Sequence, residues 1–300
     1  MKVGFIGIGA MGNHMVRHLQ AAGHELTLHD LRREAATPFL EAGADWGDSP
    51  KAVAQASDVV FTSLPGPTDV ETVALGPEGV AEGASPGKVY VDLSTNSPVL
   101  TRRLHADMAA KGIRMLDCPV SGGTIGAQEA SLALLVGGDR DLYEEVLPVL
   151  RAIGDKPIYC GPSGAGQVCK LVNNYITLSL QPLLAEAFSI GVKAGVDAGT
   201  LFEAVSRSTG NTRSMQWRYP PGVLKGEFTP TFTVDLVLKD LGLAIGLAED
   251  FDVPLQFGPL AYGEYAEASR TGRGRLDVCA VALLQEERAG VEIRADVEPR

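Results

Sequence analysis

The sequence predicts two fold classes in series: an α/β unit with a doubly wound, largely parallel sheet, then an all-helical unit, joined by one long helix. Three observations predict it. Strand-type and helix-type runs alternate from Lys2 to Cys160. From Gly164 onward almost every apolar pattern is helical. The change falls on Gly164-Ala165-Gly166-Gln167-Val168-Cys169-Lys170-Leu171-Val172-Asn173-Asn174, a glycine-rich turn opening a long apolar helix. Alternating strands and helices build a parallel sheet covered by helices, whereas consecutive helices pack on one another. A chain of 300 residues accommodates both. The expected division is 1–163 and 164–300, with the joining helix at about 167–194.

The elements follow in order. Lys2 to Ile6 reads as a strand, and Gly7-Ile8-Gly9-Ala10-Met11-Gly12 follows it at once. Ala10 to Ala22 reads as a helix stopped by Gly23, and Glu25 to His29 alternates as a second strand ending at Asp30. This is a βαβ unit with G-x-G-x-x-G in its first turn, the Rossmann-type arrangement in which backbone N–H groups at a helix start receive a pyrophosphate. A lone glycine pattern is weak, but strand, helix and acid stand here in the required context. Asp30 follows Gly12 by 18 residues, near the spacing of the carboxylate that binds an adenosine ribose. A carboxylate there accepts from ribose hydroxyls and repels a 2′-phosphate, so NAD is expected over NADP, although Arg32 and Arg33 stand close by.

Ser49-Pro50 starts a helix to about Ala56, with serine as cap and proline at the first helical position. Val59 to Leu64 is a buried-type strand broken by Pro65-Gly66-Pro67, and Val89 to Leu93 is the next, ending in Ser94-Thr95-Asn96-Ser97-Pro98 before a helix to Lys111. Arg114 to Leu116 leads into Asp117-Cys118-Pro119-Val120-Ser121-Gly122-Gly123-Thr124. Leu132 to Val136, a helix from Asp139 to about Ala152, and Pro157 to Cys160 complete the first unit. Ligands of such sheets lie outside the carboxyl ends of the strands, where Leu64-Pro65, Ser94-Thr95 and Val120 to Gly123 fall. Beyond Gly164, helices are expected at about Gln167–Ala194, Asp197–Ser206, Phe232–Glu249, Leu255–Ala268 and Asp277–Arg288. Ser208 to Thr231 reads as a long loop region with one helical turn, and Ile293 to Arg300 as a frayed polar tail.

The net charge of −11 disfavours a nucleic-acid binder and gives no attraction to anionic membranes. Four cysteines in no regular spacing read as reduced thiols of a cytoplasmic protein. The apolar run from Leu171 to Val192 carries Asn173, Asn174, Gln181, Pro182 and Glu186, which suits a buried helix better than a membrane span.

All five histidines lie in the first 105 residues, so at the change of pattern lysine is the better-placed acid–base group. Lys170 and Asn174 share a helix face. A lysine in apolar surroundings beside a nicotinamide would have its pKa depressed and could exchange a proton with a substrate hydroxyl. A snorkelling surface lysine is the plain alternative, weakened by Val168, Leu171 and Val172 around it. His14 and His18 stand four apart but lack a third ligand, so they read as a solvated helix face and no metal is expected. Cys169 reads as a small core residue. Ser121 lacks both the G-x-S-x-G elbow and a following histidine.

Four motifs in order over nearly the whole chain resemble the β-hydroxyacid dehydrogenases, the family of 3-hydroxyisobutyrate and tartronate semialdehyde enzymes. They are Val3 to Gly12, Asp117 to Gly123, Gly164 to Gly166 with Lys170 and Asn173-Asn174, and Lys239-Asp240-Leu241. The resemblance implies an NAD-dependent oxidation of a small 3-hydroxy acid, or the reverse reduction, with a 3-hydroxyisobutyrate-like substrate. It implies Lys170 as general acid/base and Asn174 as the residue orienting the substrate. Ser121, Gly122 and Gly123 would hold the substrate carboxylate. Gly7, Gly9, Ala10, Met11, Gly12, Asp30, Leu64, Pro65 and Thr95 would bind the cofactor, and Lys239 would close the site. A homodimer or homotetramer assembled through the helical domain is also implied. Tartronate or succinic semialdehyde reduction is the nearer alternative; imine reduction, which usually has another residue at the lysine position, and non-catalytic NAD binding are further off. Ala130 stands where the family usually has a second glycine, and Cys118 where it commonly has alanine. Arg213 and Arg218, in an unusual loop, would either bind a second substrate carboxylate or face solvent.

Overall fold

In the computed structural model residues 1–296 are described. The chain falls into two compact units, Met1–Lys170 and the chain from Leu171 onward.

The first unit is built on a nine-stranded sheet ordered β3-β2-β1-β4-β5-β6-β8-β7, with β9 on β8. The strands are β1 (Lys2–Ile6), β2 (Glu25–His29), β3 (Asp45–Trp46), β4 (Val59–Thr62), β5 (Val89–Asp92), β6 (Arg114–Asp117), β7 (Val120–Ser121), β8 (Ala133–Gly138) and β9 (Lys156–Gly161). From β3 to β6 all pairings are parallel. The sheet is largely parallel, as expected, and departs from this only at the far edge: β8 runs antiparallel to β6 and β7, and β9 follows β8 in parallel. The reason is the connection. Only a short helix separates β7 from β8, too little chain for a parallel crossover but enough for the chain to double back. The reversal sets Gly137 of β8 against both Asp117, at the carboxyl end of β6, and Gly161, at the end of β9. The chain therefore enters the long helix near the carboxyl end of β6.

The helices of this unit are α1 (Gly12–Ala21), α2 (Thr37–Glu41), α3 (Pro50–Ala56), α4 (Pro67–Leu75), α5 (Val80–Gly83), α6 (Pro98–Ala110), α7 (Gly123–Gln128) and α8 (Arg140–Ile153). Their starts follow the predicted chemistry. Ser49, Ser97 and Asp139 each accept an N–H from the first turn of α3, α6 and α8, and proline opens the first two. Apolar side chains from both faces of the strands form two clusters, one around Phe5, Phe61, Leu116 and Val136 and one around Ile6, Val60, Tyr90 and Met115. The helices α2, α5 and α7 are too short to show a periodic apolar face, and α4 follows Pro65-Gly66-Pro67, which reads as a break.

The second unit holds α9 from Leu171 to its end (the helix spans Ala165–Lys193), then α10 (Ala198–Ser206), α11 (Arg213–Arg218), α12 (Val234–Asp250), α13 (Phe257–Ala268) and α14 (Ala282–Ala289). One cluster gathers Phe188, Phe202, Met215, Tyr219 and Leu224, another Leu178, Val237, Leu241 and Tyr265. Three expectations need correction. The 208–231 loop is ordered around α11, whose buried Met215 anchors it, and continues as a second helical turn over Tyr219–Val223. The tail is not frayed where it is described: Ile293 is fully buried, its N–H donates to Glu286 at 2.7 Å, and the Ala295 N–H donates to Leu224. Residues 297–300 lie outside the described part. Third, α9 is not the buried helix expected, since only 33% of its most apolar stretch is buried, although it is long and apolar enough to cross a membrane.

Candidate active site

The turn after β1 shows why its glycines are glycines. Gly7 has φ +96°, and a Cβ on it would stand 2.3 Å from the Ser63 carbonyl oxygen. A Cβ on Gly12 would stand 2.0 Å from the Gly7 oxygen, so α1 can start only this close to the strand if nothing projects there. Gly9 is different: a Cβ there would meet no atom within 4 Å, leaving its backbone open to a ligand. Ala10 is exposed, Met11 half-buried, and the first turn of α1 has no acidic residue to oppose an anion. Asp30, at the end of β2, accepts from the Ile8 N–H at 2.7 Å and from the Arg32 N–H at 2.9 Å. These residues fit a dinucleotide: two glycines allow the close turn, a third opens the backbone, and a carboxylate is held at the edge.

The carboxyl ends of β4 and β5 are tied together next. The Leu64 N–H donates to Ser94 Oγ at 2.9 Å, and Pro65 beside it is exposed. Beneath them lies Asp92, fully buried, accepting from Thr62 Oγ1 at 2.9 Å and from the Ser94 N–H at 3.1 Å. Burial raises the Asp92 carboxyl from 3.8 to about 6 despite these donors. Gln167, from the first turns of α9, then clamps the loop that contains Thr95. Its Nε2 donates to the Ser94 carbonyl at 2.8 Å and its Oε1 accepts from the Asn96 N–H at 2.9 Å.

Asp117 holds the same helix start. Its carboxylate accepts from the Gly164 N–H at 2.8 Å and the Gln167 N–H at 3.0 Å, capping α9 from 47 to 50 residues away in sequence. Burial raises this carboxyl too, opposed by the N–H donors it receives. A Cβ on Gly166 would stand 2.2 Å from the Leu135 oxygen, so the helix meets the sheet at van der Waals limits. These contacts tie the first turns of α9 to the sheet of the first unit, which runs to Lys170. Three residues after Asp117, the chain enters β7 and the Ser121-Gly122-Gly123 loop. Gly122 (φ +140°) and Gly123 (φ +64°) hold conformations that favour glycine, and a Cβ on Gly123 would meet nothing within 4 Å. The next helix ends against His18, whose Nε2 lies 3.1 and 2.9 Å from the carbonyl oxygens of Ala127 and Gln128. His18 is thus a link to the end of α7, not part of a solvated face. Among the described residues no group of three or more His, Cys, Asp or Glu could hold a metal.

Lys170, one turn beyond Gln167, is 9% exposed, which removes the snorkelling alternative. Cys169 beside it is exposed, against the expectation of a core residue, because it lies on the other side of the helix. In the second unit Asn174 is buried and donates to Asp240 Oδ2 at 2.7 Å, while Lys239 Nζ reaches Asp240 Oδ1 at 2.6 Å. The buried Asp240 carboxylate thus gathers two of the expected site residues. The two arginines separate. Arg218 is engaged by the buried Asp277, with Nη1 at 3.1 and 2.9 Å from its two oxygens, and this guanidinium helps hold the Asp277 carboxyl down against its own burial. Its partner is structural. Arg213 is exposed and lies over the Trp217 ring at 4.2 Å. Asp92, Asn96, Asp117 and Gln167 have no individual role assigned from the sequence alone. The available signal was a polar residue closing each apolar run, V-Y-V-D and R-M-L-D, where a strand meets a ligand-facing loop.

Residues 2–161 match the family described as the NAD binding domain of 6-phosphogluconate dehydrogenase. Residues 164–284 match that described as NAD-binding of NADP-dependent 3-hydroxyisobutyrate dehydrogenase. The chain is 37% identical to 2-(hydroxymethyl)glutarate dehydrogenase of Eubacterium barkeri, over 98% of this chain and 97% of that one. It is 34% identical to 3-sulfolactaldehyde reductase of Escherichia coli (strain K12), over 99% of each. Among solved structures, the 3-hydroxyisobutyrate dehydrogenase of Mycobacterium tuberculosis with L-serine is 34% identical, with a TM-score of 0.86 over 94% of this chain and 98% of that one. A chain with this glycine turn, this strand-end loop and this helix, matched along its whole length by such relatives, belongs to the β-hydroxyacid dehydrogenase family and is an NAD-dependent oxidoreductase acting on hydroxyl groups.

Proposed function

We propose that the substrate is a small 3-hydroxy acid of the 3-hydroxyisobutyrate type, interconverted with its semialdehyde, and that Lys170 moves the hydroxyl proton. The observation that supports this reading is the double clamp on the start of α9. Asp117 ties it to the strand leading into Ser121-Gly122-Gly123, and Gln167 ties it to the loop of Ser94, Thr95 and Asn96. The helix carrying Lys170 is thereby held in register with the segments proposed for substrate and cofactor. Preorganisation of that kind is what proton transfer at a fixed atom requires.

Bound NAD supplies the hydride acceptor, or the donor in reverse. The Gly7–Gly12 turn, Asp30, Leu64 and Thr95 would hold it. The N–H groups of Ser121 to Gly123 receive the substrate carboxylate, which sets the direction from which its hydroxyl meets Lys170. Lys170 Nζ takes the hydroxyl proton during oxidation and returns it during reduction. Asn174, one turn on along the same helix, orients the substrate through its amide, which Asp240 holds. Lys170→Ala is expected to lower kcat about 100-fold, the loss that follows removal of a general acid–base group. A near-normal kcat would remove Lys170 from the mechanism. The substrate class is read by assaying 3-hydroxyisobutyrate, serine, glycerate, threonate and 2-(hydroxymethyl)glutarate with NAD and with NADP. Preference for the dicarboxylate would replace the simple hydroxy acid and point to the exposed Arg213 as its second anchor.

The chain is also proposed to self-associate. Val172, Ile176, Leu183 and Ile190 are 52, 56, 57 and 71% exposed and fall on one face of α9. Four large apolar side chains left in solvent on one face of a surface helix mark a contact with another protein surface, and a second copy supplies the matching face.

A further inference from the structure

The end of β2 runs into one acid and two arginines, Asp30-Leu31-Arg32-Arg33. An arginine near the ribose-binding acid is what accommodates a 2′-phosphate, so the place each guanidinium takes bears on cofactor choice. Arg32 stays with the acid: its N–H donates to Asp30 Oδ1 at 2.9 Å and its Nε lies 3.9 Å from the same oxygen. Arg33 opens a short 3-10 turn over Arg33–Ala36, and its guanidinium lies over the Trp46 ring, 5.2 Å from the centroid. That ring is held from several sides. Trp46 belongs to β3, the outermost strand on this edge, and pairs with Leu28 of β2, two residues short of Asp30. Its Nε1 donates to Asp48 Oδ1 at 2.9 Å, and its ring stands 5.4 Å from that of His29. His29 Nδ1 lies 2.8 Å from the Gly47 carbonyl oxygen, and the Gly47 N–H donates to the Leu28 carbonyl at 2.9 Å. Arg33 therefore has a fixed aromatic seat on the outer strand.

We propose that Trp46 is a specificity-determining residue for the cofactor: it seats Arg33 on the outer strand and withholds that guanidinium from a 2′-phosphate on the ribose that Asp30 receives. To reach such a phosphate Arg33 must leave the indole. Its affinity for the phosphate is then reduced by the strength of the contact it gives up, roughly 2- to 5-fold for an exposed cation–π pair. Arg32 does not take its place, because its charge is already set against Asp30. The discrimination thus comes from two carriers, the Asp30 carboxylate that repels a phosphate and the Trp46 ring that keeps the nearby cation occupied. The inference rests on the dinucleotide reading of the Gly7–Gly12 turn and Asp30, and it is independent of the role of Lys170.

The test measures the Kd of NAD and of NADP for the full chain by isothermal titration calorimetry, without substrate. In Trp46→Leu the ratio of the NADP Kd to the NAD Kd is expected to fall roughly 2- to 5-fold, as Arg33 is released. Trp46→Phe keeps an aromatic seat and should stay closer to the wild-type ratio. Arg33→Ala, which truncates an exposed side chain, should leave the wild-type ratio unchanged, and in the Trp46→Leu background it should abolish the gain. An unchanged ratio in Trp46→Leu, or a gain that survives removal of Arg33, would overturn the role of Trp46. So would an Arg33→Ala protein that weakens NADP alone, since Arg33 would then already reach the phosphate; that measurement stands even if Trp46→Leu does not fold. Failure of the Asp30 reading would appear separately, as an Asp30→Ala ratio equal to that of the wild type.

Discussion

Ala130 has φ +53°, in the region that favours glycine, at the position where the family usually carries one. Its Cβ strains the left-handed conformation by roughly 1–2 kcal/mol, against roughly 0.5–1 kcal/mol of extra unfolded-chain freedom that glycine introduces. Ala130→Gly is therefore expected to stabilise the protein by about 0.5–1 kcal/mol, read as a higher urea midpoint at unchanged slope. Asp92 makes a second case at this scale. Its pKa is raised in the fold from 3.8 to about 6, so the native state holds more protons than the unfolded chain between those values. Its contribution is then greatest below pH 4, shrinks as pH rises through 6, and leaves the ionised form costing roughly 3 kcal/mol above it. In Asp92→Asn the side-chain oxygen can still accept from Thr62 and Ser94. Relative to wild type, that variant is expected to gain roughly 1–1.5 kcal/mol more stability at pH 8 than at pH 5, by the same linkage. Equal gains at both pH values would show that Asp92 does not titrate in this range.

At the scale of the element, α9 is the helix whose start matters most. Its first N–H groups would be orphans in a buried turn, and helix starts so placed need acceptors. Asp117 supplies two, and Gln167 passes the constraint on to Ser94 and Asn96. Asp117→Ala should cost roughly 1–3 kcal/mol by leaving buried donors unsatisfied, and should lower kcat as well, since Gln167 loses its anchor. Asp117→Asn, which retains one acceptor, should lose less of both. A stability loss with unchanged kcat would confine Asp117 to the fold. The glycine turn, its two strands and the capped helices α3, α6 and α8 were legible because each announces itself over a few neighbouring residues. The clamp on α9 was not, because Asp117 and Gln167 are 50 residues apart and only the pairing of β8 with β6 and β9 brings them together.

At the scale of the whole molecule, the exposed stripe on α9 tests self-association. Leu183→Glu with Ile190→Glu places two charges on it and is expected to shift the protein to a smaller species in sedimentation velocity, with little loss of monomer stability because both side chains are already in solvent. An unchanged sedimentation coefficient would move the contact to another face.

By itself the sequence determined the α/β-then-helical order, the dinucleotide turn with its closing acid, and the lysine at the change of pattern. Those are local signals: periodicity, caps, and glycines whose backbone has no alternative. Tertiary structure alone decided the reversed edge of the sheet, the buried carboxylates Asp92, Asp117 and Asp240, and the fate of the two arginines. Arg213 and Arg218 are indistinguishable along the chain, and only packing sets Asp277 against Arg218 and leaves Arg213 on the surface. A buried charge takes its partner from whatever the fold brings within reach, and that distance is not written in any window of neighbouring residues.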